Sequence, residues 1–269
     1  GDETSWTVEY GLNGFTQGTG TTVNVSSPTV TITGLTDDSD YTVYVTADCG
    51  GTTQASATVN FSTNAGFFTF DNECGPGFID ISATGTAITL TDDSESGITL
   101  PFPWNVNGTT VNTITVGNNG GIIFNTLTGN VGYTATGNGM FPFVQDLNTA
   151  LAGGGVFYQS IGTAPNRQFV IEWLDLPHYI TSGGATFEII YDEASSEFYY
   201  LYDDVMMDNA AYNNGLDAEI ACNTAAGNLQ VSMNNATYLT NNSCVHFYNV
   251  LCPNPTNLTF IPFQEEVLV

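Results

Sequence analysis

Short segments in which apolar and polar residues alternate follow one another along the whole chain. Before residue 63 such segments lie at 6–10, 23–25, 29–32, 41–46 and 56–61, and Gly, Asn and Asp residues separate them. Alternation with a period of two places one face of an extended strand on a core and leaves the other face in water. Short strands bounded by turn residues predict an antiparallel β-sandwich.

The region from residue 67 to residue 250 continues the pattern with longer strands. Strand candidates lie at 78–81, 87–90, 114–116, 121–124, 156–158, 168–173, 186–191, 197–202, 218–221 and 245–248. No stretch keeps a helical apolar period for three turns, so strands alone are expected. The chain is therefore predicted to be all-β, with residues 67–250 forming one larger antiparallel β-sandwich that is jelly-roll-like.

One motif in the first region has the form of a sandwich corner. Residues 34–45 read Gly-Leu-Thr-Asp-Asp-Ser-Asp-Tyr-Thr-Val-Tyr-Val. The run resembles the corner between strands E and F of a fibronectin type III domain, where a Tyr hydroxyl ties the corner back to the backbone. The resemblance gives that role to Tyr41, and residues 6–11 resemble strand C. It covers residues 1–63, fewer than the about 100 residues of the complete fold.

The strands that would precede strand C resemble the other end of the chain. Residues 252–269 are similar to strand A and the start of strand B, so the two ends make nearly one domain. This predicts a fibronectin type III (Ig-like) sandwich split across the chain ends, with 1–63 as its C-terminal part and 252–269 as strands A and B of the next domain. Three arrangements satisfy the prediction: a covalent tandem array, subunits joined by donated strands, and closure within one chain.

The larger region carries a second set of recognisable motifs. They are Leu-Pro-Phe at 100–102, Val-Gly-Asn-Asn-Gly-Gly at 116–121, Phe-Pro-Phe at 141–143, Gly-Thr-Ala-Pro-Asn-Arg at 162–167 and Pro-His-Tyr at 177–179. In this order they resemble a β-sandwich of giant secreted surface proteins (adhesins) of Bacteroidota, which the type IX pathway exports. A weaker similarity is to nidogen-like extracellular modules. Both resemblances imply an extracellular or cell-surface location, and neither implies a catalytic residue.

The charge of the chain excludes several classes of partner. Asp and Glu number 27 against a single Lys or Arg, which is Arg167, and the formal net charge is −26. Nucleic acids and anionic lipid surfaces are bound through Lys and Arg, so neither is expected as a partner. No apolar run approaches the about 20 residues of a membrane-spanning helix, so direct membrane insertion is not expected.

The five cysteines permit several disulfide patterns. Frequent Asn and Thr residues and the near absence of Lys favour export into an oxidising setting, although five reduced and buried thiols are the alternative. Cys222 and Cys244 lie on strand-like segments that flank a hairpin, which predicts a Cys222–Cys244 bond. The fibronectin type III resemblance implies a second bond, between Cys49 and Cys252 of an adjacent repeat. Cys74 has no assigned partner.

Clusters of acidic residues are candidate ligands for Ca²⁺. Acidic residues cluster at 37–40, at 92–95 and at 203–208. The best candidate calcium ligands are Asp203, Asp204, Asp208 and Asp217, because Asn209, Asn213 and Asn214 lie beside them and Ca²⁺ takes several oxygen ligands. No Asp-x-Asp-x-Asp-Gly loop is present, and Asp is also an ordinary turn residue. Calcium is the one cofactor considered, and solvated turns are the alternative.

Aromatic residues offer a possible platform for stacking on a sugar. Trp104, Tyr179 and Tyr212, together with Trp173, would form it, and burial of the tryptophans in the core is the alternative. No nucleophile elbow or zinc-protease motif occurs, and a pair of carboxylates such as Glu172 and Asp175 is expected by chance in so acidic a chain. The chain is therefore not expected to be an enzyme.

These observations predict a structural and adhesive repeat unit of a long extracellular filament or giant cell-surface adhesin. Its partners would be neighbouring copies arranged head to tail, identical chains that bundle laterally, and a surface or glycan target. Negative charge would keep such fibres soluble. The alternative function is a carbohydrate-binding accessory region of a secreted enzyme, which would use the aromatic platform.

Overall fold

The computed structural model describes residues 5–27, 29–32, 34–36, 39–48, 56–63, 67–151, 153–250 and 258–259. Strands dominate these residues and no α-helix occurs among them, which confirms the all-β prediction. Contacts divide the chain into two units, Gly1–Gly66 with Leu251–Val269, and Phe67–Val250. The described part of the chain contains no helix with the length and apolar character required to cross a membrane.

The strands are numbered in chain order. The first unit contains β1 (Ser5–Leu12), β2 (Thr21–Val25), β3 (Thr29–Val30), β4 (Asp40–Asp48) and β5 (Ala57–Ser62). The larger unit contains β6 (Phe67–Asp71), β7 (Thr86–Ile88), β8 (Glu95–Val106), β9 (Thr109–Gly117), β10 (Gly121–Phe124), β11 (Gly139–Val144), β12 (Gly155–Thr163), β13 (Asn166–Pro177), β14 (Gly184–Asp192), β15 (Glu197–Asp204), β16 (Glu219–Thr224), β17 (Gly227–Met233) and β18 (Ser243–Val250). A short β19 (Leu258–Thr259) returns to the first unit.

The first unit is built on a four-stranded antiparallel sheet in the order β2-β1-β4-β5. Its core contains Val8, Val43 and Val45 from neighbouring strands, because residues two apart on a strand share a face. The hydroxyl of Tyr41 accepts a hydrogen bond from the backbone nitrogen of Thr36 at 2.9 Å, which is the corner contact that the resemblance implied. The fibronectin type III identity itself stays a prediction.

The C-terminal strand pairs within this chain. β19 lies antiparallel to β3, with Leu258 opposite Val30 and Thr259 opposite Thr29. A pairing of this kind joins the two ends of the chain inside one unit. The assignment of residues 252–269 to the next domain, and the exchange of strands between copies, stay predictions.

The larger unit is a sandwich of two antiparallel sheets. The six-stranded sheet has the order β17-β16-β11-β10-β9-β8, and the seven-stranded sheet has the order β6-β18-β15-β14-β13-β12-β7. The chain passes between the sheets after β7, β11, β15 and β17. From Gly97 onward, strand β8 alternates strictly, so that its inward residues are buried and its outward residues are exposed. The inward side chains of β8 stack on the other sheet, as Trp104 does on Tyr191 with ring centroids 4.9 Å apart.

The outer face of the seven-stranded sheet is covered as well. Residues 72–85, here called the strap, lie across this face and contribute Phe78, Ile79 and Ile81 to a small apolar cluster with Val170 and Ile190. Strand β14 is consequently buried at both faces along almost its whole length. A strand buried on both sides reads as a continuous apolar run rather than an alternating one.

A disulfide anchors one end of the strap. Cys74 of the strap is bonded to Cys244 of β18, across a sequence separation of 170 residues. The predicted Cys222–Cys244 bond is wrong. Cys222 lies on β16 and faces the core between the sheets, whereas Cys244 belongs to the opposite sheet and faces the strap. Cys222 is a buried free thiol whose pKa burial raises to about 12. Cys49 and Cys252 lie outside the described residues.

Candidate functional site: an acidic cleft and a buried glutamate pair

Three of the sequence motifs meet at one end of the larger sandwich. The amide oxygen of Asn119 accepts a hydrogen bond from the Leu147 backbone nitrogen at 2.9 Å, and the Asn118 amide donates to the Leu147 carbonyl. Leu147 in turn forms an isolated β-bridge with His178. Gly120 lies between these groups at φ 81°, where a Cβ would overlap the Phe143 carbonyl, so glycine alone fits. The motifs therefore fix the loops that follow β9, β11 and β13.

Three carboxylates come together beside these loops. Asp92, Asp93 and Asp146 have oxygens that all lie within 4.8 Å of one another, and among the described residues this is the group suited in number and spacing to a metal ion. The Tyr133 hydroxyl donates to Asp93 at 2.7–2.8 Å, and the Asn119 amide donates to Asp93 at 3.2 Å. The hydrogen bond to Asp93 raises the pKa of Tyr133 to about 12.

Asp146 also lines a depression of about 240 Å³, here called the acidic cleft. Gln145, Asp217 and Glu219 line it as well. Partial burial, followed by the charges of Asp93, Asp92 and Asp217, raises the pKa of Asp146 above its ordinary value. The cleft therefore concentrates negative charge that is not fully solvated.

Exposed apolar side chains border the acidic cleft, and we call them the rim. Tyr133 and Met233 line the cleft and are 51% and 50% exposed. Tyr179, at 49% exposed, donates its backbone N–H to the Asp146 carbonyl at 3.0 Å. Large apolar side chains that stay exposed around a polar depression are typical of a surface that binds a partner.

His178 lies behind the rim and is almost fully buried. The Tyr212 ring stacks on it with centroids 3.8 Å apart, and the Tyr179 ring lies at 4.7 Å. Its Nε2 is 3.7 Å from an Asp217 oxygen, while its Nδ1 has no hydrogen-bond partner. Burial lowers the pKa of His178, although the Asp217 charge acts in the opposite direction. The imidazole is therefore neutral near pH 7 and brings no positive charge to the cleft.

The predicted aromatic platform is partly assembled. Tyr179 and Tyr212 lie together around His178 beside the acidic cleft. Trp104 does not join them, and its assignment to sugar stacking is wrong, because it is 1% exposed and packs in the core between the sheets. Trp173 is likewise fully buried, as the core alternative expected.

The four predicted calcium ligands are not gathered in one place. Asp204 caps the Met206 backbone nitrogen, and Asp217 lies beside His178 in the acidic cleft. Asp203 instead lies near the strap, where its charge acts on Glu172 and Glu188, and Asp208 lies against Gly183. Asp203, Asp208 and Asp217 therefore lie in three different environments and cannot bind one ion together.

A second unusual cluster lies under the strap. Glu172 of β13 and Glu188 of β14 are direct neighbours in the sheet register, and both are fully buried. Each accepts one backbone hydrogen bond from the strap, Glu172 from Ile81 at 3.0 Å and Glu188 from Ile79 at 2.9 Å. The second oxygen of each carboxyl, Glu172 Oε1 and Glu188 Oε2, has no hydrogen-bond partner.

Burial dominates the protonation of this pair. It raises the pKa of Glu188 to about 9, and the neighbouring charges of Glu172, Asp80 and Asp203 act in the same direction. It raises the pKa of Glu172 to about 7, with Asp80 and Asp203 contributing further. At least one of the two carboxyls therefore carries its proton at neutral pH. This environment also removes Glu172 from any catalytic pair with Asp175, because water cannot reach it.

Sequence reasoning did not find Asp146, Gln145 or the glutamate pair. Glu172 and Glu188 each stand between two apolar residues of a strand, which is the ordinary signature of an outward-facing polar position. Only the strap, which approaches from a distant part of the chain, makes that face an interior. Asp146 carries no local signal, because its partners Asp92 and Asp93 are more than fifty residues away.

These features define a disulfide-bonded β-sandwich domain with an acidic cleft and an exposed apolar rim. The NIDO-related family model matches residues 67–265, and the chain belongs to this family, whose domains occur in extracellular proteins. The match confirms the nidogen-like resemblance of the larger region; the fibronectin type III and Bacteroidota adhesin identities stay predictions. No curated protein and no solved structure matches the chain.

Proposed function

We propose that the chain is a structural and adhesive repeat unit of a long extracellular filament or giant cell-surface adhesin, without enzymatic activity. Membership of a family of extracellular domains supports the location, and the type IX export route belongs to the same proposal. Neighbouring copies arranged head to tail, with lateral bundling of identical chains, are its proposed partners.

The observation that carries the adhesive role is the rim of the acidic cleft. Tyr133, Tyr179 and Met233 each expose about half of their surface there. Aromatic and methionine side chains are enriched where proteins bind partners. A Tyr ring buries a large area at little cost in conformational freedom, and the flexible Met side chain adapts to the surface that it meets. A carbohydrate target is the second candidate, and the stacking of Tyr179 and Tyr212 around His178 favours it.

The double variant Tyr179→Ser with Met233→Ser is expected to reduce adhesion by about tenfold or more. Each lost contact of about 1.4 kcal/mol lowers the affinity by a factor of ten. Beads coated with the full chain would be mixed with chitin, cellulose or bacterial cells and then washed. The beads that remain bound would be counted. Leu12→Ser is the matched control, since Leu12 is 59% exposed and lies in the other unit. Equal adhesion of the double variant, or no adhesion of the wild type, would contradict the proposal.

The same assay separates the two candidate targets. Adhesion that soluble oligosaccharides abolish would identify a glycan ligand, whereas adhesion that persists in their presence would identify a protein or other surface. A Tyr212→Ala variant should weaken the glycan-dependent fraction in particular, because it removes the ring stacked on His178.

The repeat arrangement is tested on native material by its denatured mass, with and without reductant, and by negative-stain images. A covalent array is expected to show a mass many times 28.6 kDa that survives reduction, together with beaded fibres. Fibres with a denatured mass near 28.6 kDa would indicate subunits joined by exchanged strands. Compact particles without a higher mass would contradict the filament.

A further inference from the structure

Four exposed apolar side chains lie at the acidic cleft or next to it. Tyr133 and Met233 line the cleft, Tyr179 lies on the rim, and each exposes about half of its surface. Leu216, which is 37% exposed, directly precedes Asp217 of the cleft. Large apolar side chains that remain in water around one depression indicate a surface that a partner covers.

Carboxylates lie among these apolar side chains. Asp146, Asp217 and Glu219 all line the cleft. In the sheet register Glu219, the first residue of β16, lies opposite Met233 of β17 and opposite Val144 of β11. Because neighbouring strands are about 4.8 Å apart, these three strand ends span about 10 Å. A partner that covers the rim therefore also meets the carboxylates.

The charge of the chain limits which partner can cover this surface. Arg167, the single Lys or Arg of the sequence, pairs with Glu193 and lies 4.1 Å from the centroid of the Phe102 ring. His178 lies near Asp217, but burial lowers its pKa and favours its neutral form. A second copy of the chain would bring a formal charge of −26 to the cleft, so repulsion between like charges opposes it. A positively charged molecule other than this chain is the complementary partner.

The apolar rim distinguishes a basic polypeptide from a small cation. A metal ion or a simple ammonium ion would contact the carboxylates alone and leave the rim in water. An Arg side chain uses both features, because its guanidinium pairs with carboxylates and stacks on aromatic rings while its stem covers apolar surface. At about 240 Å³ the cleft is smaller than the about 300–1,000 Å³ of typical small-molecule sites, which suits single side chains of a longer partner.

We propose that the acidic cleft and its rim dock an Arg-rich segment of a protein other than this chain. The carboxylates of Asp146, Asp217 and Glu219 receive the guanidinium groups, and the rim covers the apolar parts of the same segment. The side chain of Asp217 is 53% exposed, so its charge is accessible to a partner. The inference rests on the proposed adhesive function and names the chemistry of its target.

The test is the fluorescence anisotropy of a short dye-labelled peptide, in which Arg alternates with Leu and Ser, during titration with the full chain. We expect saturable binding at an ionic strength of about 0.05 M, where the Debye length is longer than about 10 Å, and binding several-fold weaker at about 0.5 M. The same peptide with each Arg replaced by citrulline, its neutral analogue, should not bind. Asp146→Asn with Asp217→Asn should raise the Kd by about three- to tenfold, because each exposed ion pair contributes up to about fivefold.

The matched control is Glu73→Gln with Asp203→Asn, which removes two exposed carboxylates outside the cleft and should bind the peptide as the wild type does. Asp217→Asn alone, at its half-exposed position, replaces the double variant if Asp146→Asn does not fold. An equal loss of affinity in the cleft variant and in the control would indicate diffuse attraction to the net charge and overturn the proposal. Absence of binding by the wild type, or equal binding of the citrulline peptide, would overturn it as well.

The bead assay keeps this result distinct from that of the adhesive role. Beads that adhere to cells although the full chain binds no Arg peptide would overturn the basic target and leave the adhesive role in place. Adhesion that soluble oligosaccharides abolish and the Arg peptide does not would assign the surface to a glycan and overturn the proposal. Peptide binding through the cleft without any adhesion would support the docking surface and contradict the adhesive role.

Discussion

Loss of the Cys74–Cys244 disulfide is expected to lower the free energy of unfolding of the larger unit by about 2–5 kcal/mol. The bond closes a loop across 170 residues, so its removal frees a large part of the unfolded chain. It also anchors the strap whose Phe78, Ile79 and Ile81 cover the outer face of the seven-stranded sheet. The measurement is urea unfolding of Cys74→Ser, with and without reductant, in a background that carries Cys49→Ser and Cys252→Ser.

Cys222→Ala in the same background is the control. It removes the free thiol and leaves the bond, so its unfolding should stay sensitive to reductant, whereas that of Cys74→Ser should not. Sensitivity to reductant in Cys74→Ser would show that Cys244 has a different partner. Unreduced peptide mapping gives a direct reading, and pepsin is the suitable protease because the chain offers trypsin a single Lys or Arg.

The larger unit is expected to lose stability as the pH rises from about 5 to 9, opposite to the usual behaviour of paired carboxylates. Burial raises the pKa of Glu172 to about 7 and that of Glu188 to about 9, so the folded state holds protons that the unfolded state releases above its ordinary pKa of 4.5. The stabilisation is fully present below the unfolded-state pKa of 4.5. It is lost as the pH rises through the folded-state pKa values of about 7 and about 9. Each carboxyl contributes up to about 1.4 kcal/mol per pH unit within its window.

The variant Glu188→Gln distinguishes the pH dependence caused by the buried glutamate pair from that caused by the other acidic residues. The Gln carbonyl can still accept the Ile79 N–H, while no charge forms at high pH. Urea unfolding across this pH range should show a flatter slope and higher stability at pH 9 than the wild type. Glu73→Gln, a change at an exposed position on the same strap, should keep the wild-type slope. A wild-type slope in Glu188→Gln would contradict the buried pair.

The strand content was predictable because it depends on local patterns. The alternation at 245–248, for example, becomes part of β18 with Val245 and Phe247 turned inward. The same local rule failed for β13 and β14, since it treats a polar residue between apolar ones as facing water. Glu172 and Glu188 obey the pattern and are nevertheless buried, because a strap from more than ninety residues away lies over them.

The candidate sites also divide into features that local sequence patterns predicted and features that they did not. Tyr179 was a candidate for the aromatic platform, and it does lie on the exposed rim. Grouping Asp203, Asp204, Asp208 and Asp217 as ligands assumed that proximity along the chain means proximity in space. In strands this assumption breaks down, because consecutive residues face opposite sides and a turn changes sheet.

By itself, the sequence determined the all-β class and the positions of many of the strands, since both depend on composition or on neighbours within a few residues. Only the tertiary structure decided that Cys244 pairs with Cys74, that Glu172 and Glu188 are buried, and that Asp146 joins Asp92 and Asp93. Those outcomes depend on which sheet and which face each strand takes. Pairing register and the path of the strap set that choice through contacts between residues far apart in the chain, which no local pattern records.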